Sequence, residues 1–270
     1  MLKKYPSLRS WVLVKLNLQE VMSFRTAFIF QILSNVIYLI IISSLWKAIY
    51  NSVPQQSLNG MEYGDTILYL ALAIGLFSSM QVYLVENMSW EIRSGGVIFF
   101  LLKPLGYQTY VVGMFMGKAI TQFIFIFIPT IIFTYVVTGE TLLIGVNIIV
   151  FLGSYFIAML ISLSMDFLVS LICFYIESSW GLCIVKDMVT MIFSGVMIPV
   201  ALLPAIMKKA AVFLPFQTIY NVPIQFLTKK LGIVESLKLL GQQAVWLILL
   251  WLIGKYCFSR IAKVITVNGG

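Results

Sequence analysis

The sequence predicts an all-α polytopic membrane protein. Hydrophobic residues make up 61% of its 270 positions and charged residues only 10%, whereas a soluble domain carries about 45–50% and about 25%. The apolar residues also fall into six stretches of nearly uncharged chain, each approaching the roughly 20 residues that a helix needs to cross the hydrocarbon layer.

The first stretch is 26–46, ending before Lys47, and the second runs from Thr66 to Val85 between Asp65 and Glu86. Ala119 to Val137 is the third, with Pro129 predicting a kink. The fourth extends from Leu142 to about Tyr175, interrupted by Asp166; the fifth is Met188 to about Met207, and the sixth Leu237 to Gly254. Ahead of them, Leu8, Trp11, Val12 and Leu16 recur at helical spacing. That pattern predicts a helix within residues 1–25 lying in the membrane interface, its tryptophan at headgroup depth. Five basic side chains and no compact apolar block argue against a cleavable signal here.

Charge between the spans orients the bundle. Lys3, Lys4, Arg9, Lys15 and Arg25 precede the first span, while 51–65 holds only Glu62 and Asp65. Basic residues favour the cytoplasmic side, so both chain ends are expected there, in the plasma membrane of a bacterial cell, with loop 86–118 on the same face. The region 199–236 opposes this reading, because it carries Lys208, Lys209, Lys229 and Lys230 yet falls outside. A seventh crossing over 210–228 is one resolution; a pair of short re-entrant outer helices is the other, favoured by Pro215, Asn221 and Pro223, whose freed backbone groups lipid cannot satisfy. Segments outside the spans are too short for an independent core, so residues 1–270 are expected to form a single transmembrane domain.

The net charge of +8 is accounted for by residues flanking spans and leaves no basic, aromatic-interleaved patch for nucleic acid. No histidine is present, which removes the commonest general base and metal ligand; no catalytic residue and no metal site is expected. Cys173, Cys183 and Cys257 lack ligand spacing. "GMFMGKA" at 113–119 is too short between glycines for a phosphate-binding loop and ends in Ala119 where a hydroxyl is needed. Asp166, an acid inside a span, either pairs near the cytoplasmic boundary or serves a substrate cavity. Phe123, Phe127 and Tyr135 either line a route for an amphipathic substrate or face lipid and neighbouring helices; Glu177, Lys186 and Asp187 read as a charged inner loop.

The order of an amphipathic N-terminal helix, two spans, "WEIRSGGVIFFLLKPLGYQTYVVGMFMGK", two more spans and "FSGVMIPVALLPAIMKKAAVFLPFQTIYNVP" resembles the type-2 ABC-transporter permeases. The likeness covers nearly the whole chain and rests on order and spacing more than on any one residue. It implies a permease subunit of an ATP-driven exporter whose first cytoplasmic loop carries a coupling helix that docks into separate cytosolic ABC ATPase subunits, two of them, with ATP and Mg bound in those partners. It also implies a second permease, identical or related. Glu91 and Arg93 would set the docking register by charge, Gly95, Gly96, Lys103 and Pro104 would bound the helix, and Phe99 and Phe100 would fill a groove in the ATPase. An interfacial helix held by lipid is the competing reading of the loop, and a non-transporting scaffold or assembly factor that of the chain. An ion-coupled carrier would need inverted repeats and midplane ionisable groups, which the sequence does not display.

Overall fold

A computed structural model describes residues 25–53, 57–96, 106–139, 145–176 and 179–262. The predicted interfacial helix over 1–25, apart from Arg25, lies outside them, as do Phe99, Phe100, Lys103, Pro104 and Glu177.

Helix α1 (Arg25–Ser52) leads into a hairpin, β1 (Ser57–Leu58) and β2 (Met61–Glu62). Asn59 and Gly60 take positive φ of 47° and 79°, the left-handed pair that a two-residue hairpin turn requires. α2 (Tyr63–Met80) follows, its first turn fastened by the Glu62 N–H donating to the Asp65 carboxylate at 3.4 Å. Of the most apolar window of the second span, 83% is buried, against 17% for the first and the last, so α2 is the axis of the bundle. α1 and the final helix turn apolar faces outward, including Phe30, Ile37, Ile41, Ile248 and Leu252.

Beyond α2 the chain breaks at Gln81–Tyr83 and resumes as α3 (Leu84–Arg93). The third span starts earlier than its apolar run, as α4 (Tyr107–Gln122), and continues through a π-helical turn at Phe123–Phe127 into α5 (Ile128–Thr138). Pro129 explains the turn, since it has no N–H to offer the carbonyl four residues back. The helix widens ahead of it, and the Ile128 N–H bonds to the Phe123 carbonyl instead. Opposite this turn α2 presents Gly75, where a β-carbon would come within 3.1 Å of the Phe127 ring; the glycine permits the close approach.

α6 (Val146–Ile172) and α7 (Trp180–Ser194) form an antiparallel pair. The expected fifth span, 188–207, is not one continuous helix. α7 begins eight residues sooner and stops at Gly195, whose φ of +89° and contact with the Tyr69 hydroxyl and Val200 exclude any side chain. A short 3₁₀ turn follows at Val200–Leu202 and meets the β1–β2 hairpin, where Asn59 donates to the Ala201 carbonyl at 3.4 Å. Five helices are therefore long and apolar enough to cross a membrane among the described residues, and α7 with this bent extension, in the place of the expected fifth span, is not one of them.

The region expected to fold back does so as α8 (Ala205–Phe213), α9 (Phe216–Ile219) and α10 (Asn221–Thr228). None of the three is long enough for the seventh crossing considered over 210–228. Val222 and Ile224 are fully buried, so α10 is an integral part of the packing. α11 (Ile233–Ile261) closes the bundle. It is pinned by Gln243, which accepts from the Ser154 hydroxyl at 2.9 Å and donates to the carbonyls of Ser154 at 3.2 Å and Thr218 at 2.8 Å. In lipid no water competes for such an amide, so its bonds must be made inside the protein.

Candidate functional site

Three features gather around the break in the second span. The break itself carries no proline or glycine. Tyr83 enters the left-handed region at φ 54°, and side chains reach the carbonyls at the break, that of Tyr83 also accepting the Asn87 backbone N–H at 3.1 Å. Gln122 Nε2 donates to Gln81 O at 3.0 Å, and Asn87 Nδ2 donates to Tyr83 O at 2.7 Å. The Lys118 ammonium stands 5.8 Å from the centre of the Tyr83 ring, within cation–π range.

α3, below the break, is amphipathic. Leu84, Val85, Met88 and Ser89 are buried, with Val85 packed against Cys173 and Cys183 at the α6–α7 connection. On the other face Glu86, Asn87 and Trp90 are exposed. The helix ends where Arg93 Nε donates to Ser89 O at 3.3 Å and Gly95 turns left-handed at φ 76°. Glu91 arches over this turn, so that a β-carbon on Gly96 would strike its carboxylate. Among the described residues Arg93 makes no ion pair and is exposed, while Glu91 is half-buried over the turn.

Asp166 lies in the core, 5% exposed, and the reason it can is Lys186. The lysine Nζ sits 2.7 Å from Asp166 Oδ1 and 2.9 Å from Asp187 Oδ1. The three charges form one cluster bridging α6 and α7. Lys186 and Asp187 are thus on a helix within the bundle, not in a loop as the sequence suggested; the apolar-run criterion excludes charged residues even where they neutralise each other. A void of only about 10 Å³, room for about one water, separates Asp166, Lys186 and Gln81 from Tyr220.

Of the other expected path residues, Phe127 is 1% exposed and stacks on Phe123 at 4.8 Å and Phe151 at 5.7 Å between ring centres. Phe123 also meets the Tyr155 ring at 4.2 Å, and Tyr135 is exposed on α5. Neither of the two larger cavities is lined by Phe123, Phe127, Tyr135 or Asp166.

The larger of these cavities, about 540 Å³, lies between the β1–β2 hairpin and α8–α10 and includes Asp65, Lys208 and Lys229. The other, about 450 Å³, opens between α1, α2, the break and α7, and its walls hold Asn35, Ser78, Gln81, Gln122 and Asp187. The sequence reading passed over it, although Gln31, Ser34, Asn35 and Tyr38 stand at i, i+3, i+4 and i+7 of the first span, the spacing of one helical face. That polar stripe was the available signal.

Five apolar membrane-length helices, a broken second span ending in an exposed amphipathic helix, and polar cavities within the bundle define a polytopic α-helical membrane protein with the build of a transport subunit. Residues 36–269 match the family model of the ABC-2 family transporter proteins, and the chain belongs to that family. No curated protein matches it.

Proposed function

We propose that this permease is the translocating subunit of an ATP-driven exporter, paired with a second permease and moved by two cytosolic ATPase subunits that bind ATP and Mg. Its ends and loop 86–118 lie in the cytoplasm of a bacterial cell, and residues 1–270 act as one permease domain.

The observation that carries this reading is α3. It leaves the buried axis of the bundle through a break, shows a polar face with Glu86, Asn87 and an exposed Trp90, and rests its other face on both α6 and α7. A push on the loop beyond Gly95–Gly96 would be carried by α3 to the α6–α7 hairpin and its charge cluster, biasing the subunit between inward and outward access. Phe99, Phe100, Lys103 and Pro104 are assigned to the docking helix itself.

The test is affinity purification of the full chain after gentle solubilisation, followed by identification of the bound proteins. Recovery of a nucleotide-binding subunit, reduced by the Trp90→Ala change, supports the proposal. A preparation free of any ATPase, with the permease intact, points to a scaffold instead.

A further inference from the structure

The cavity of about 450 Å³ beside α1 has an unusual wall for a membrane interior. Asn35 is 4% exposed and Gln122 8%, and both line it. Each amide uses one end within the protein: Asn35 Oδ1 accepts from the Ser78 hydroxyl at 2.9 Å, and Gln122 Nε2 donates to Gln81 O at 3.0 Å. Among the described residues the opposite ends, a donor on Asn35 Nδ2 and an acceptor on Gln122 Oε1, are buried without a partner. Such groups are costly to leave unsatisfied, about 1–3 kcal/mol apiece, and native proteins rarely keep two in one place without a use for them.

The rest of the wall narrows what fits. Gln31, Ser34 and Tyr38 add uncharged hydrogen-bonding groups along one side, while Ile74, Phe77 and Met191 add an apolar side. Among the described residues no lysine or arginine contributes to the lining. The one charged residue there is Asp187, whose carboxylate is engaged by Lys186 at 2.9 Å. A phosphate or carboxylate would therefore meet no cation in the described wall and an acid at its edge, with Lys118 on the Tyr83 ring as the nearest free cation described, so its desolvation is poorly compensated. A neutral group that donates and accepts would satisfy both orphan amides.

We infer that this cavity is a binding site for the uncharged, hydrogen-bonding head of an amphiphile, a hydroxyl-rich or amide group, with its alkyl portion lying along Phe77 and Met191. The inference rests on the reading of the chain as a translocating subunit only for the meaning of the ligand as cargo; binding itself requires no ATPase.

The experiment uses the full chain in lipid nanodiscs and two photoreactive probes with the same diazirine-bearing alkyl chain, one ending in glucose and the other in phosphate. Cross-linked peptides are mapped by mass spectrometry. The glucoside should label peptides containing Phe77 or Met191, and excess octyl glucoside should displace it. Asn35→Leu, which leaves the Gln122–Gln81 bond in place, should weaken labelling by about tenfold, the loss of one hydrogen bond. The variant also takes the acceptor from the buried Ser78 hydroxyl, so its thermal unfolding is measured beside the parent's, and a cooperative transition shows that labelling is read on folded protein. Equal or stronger labelling of these peptides by the phosphate probe, or unchanged glucoside labelling in a folded Asn35→Leu protein, overturns the inference. Glucoside binding in a chain that purifies without any ATPase leaves this inference standing and removes the exporter reading.

Discussion

Lys186 Nζ and Asp166 Oδ1 lie 2.7 Å apart on antiparallel helices, each within two turns of the connection between α6 and α7. The hairpin places them level, so a lysine that would stop one apolar run neutralises the acid that interrupts another. The second acid, Asp187, keeps the lysine charged and engaged even if the first is lost.

That arrangement predicts an asymmetry between variants. Lys186→Met strands Asp166 in the core and should cost about 3–5 kcal/mol, the penalty for breaking a buried pair. Asp166→Leu leaves Lys186 held by Asp187 and should cost less. The double variant should recover most of the loss, because two apolar side chains of similar size replace the pair. Thermal unfolding in nanodiscs checks all three, and equal effects of the two single changes would contradict the account.

Gly195 terminates α7 where no other residue fits. Gly195→Ala should destabilise by about 2–3 kcal/mol, combining left-handed strain with overpacking against Tyr69 and Val200. Adding Tyr69→Phe removes the hydroxyl that blocks the new methyl, so the double variant should be less destabilised than the sum of the singles. Melting temperatures of the four proteins decide it.

Gly95 and Gly96 are predicted to matter for coupling more than for folding. Among the described residues nothing lies within 4 Å of a β-carbon at Gly95, so the cost of a side chain there is the local strain of its left-handed φ of +76°, and the Glu91 carboxylate at Gly96 sits on a side chain that can swing away. Gly95→Val with Gly96→Val should insert normally yet lower transport by about tenfold while ATP hydrolysis in the complex persists. Export measured beside hydrolysis in proteoliposomes checks this; unchanged export removes the role given to the turn.

Lys229 tests the orientation. It is exposed at the end of α10, on the same end of the bundle as the β1–β2 hairpin. A cysteine placed there should react with an impermeant maleimide in intact cells, and reaction only after permeabilisation would reverse the bundle.

Much of this architecture was readable because transmembrane helices announce themselves by length and apolarity, as α1, α6 and α11 do. An irregularity near Pro129 was readable for a related reason, since proline removes a specific hydrogen bond, but it takes the form of a π-helical turn ahead of the proline. What escaped depends on pairing across helices. The break at Gln81–Tyr83 is held by Gln122, 41 positions away, and nothing local marks it. Charged Lys186 and Asp187 hid the first half of α7. The hairpin at Asn59–Gly60 was legible in its turn residues but too short to alter an all-helical reading. For the site, Phe123 and Phe127 form an aromatic stack that composition alone cannot distinguish from a lining.

The amide of Gln243 has a mechanical meaning. By joining α11 to α6 and α9 through three bonds, it welds one flank of the molecule into a strut that neither slides nor swivels without exposing bare dipoles to oil. Whatever rocking this subunit performs must then draw on other joints, and the second span, already cut in two at Gln81–Tyr83, supplies one.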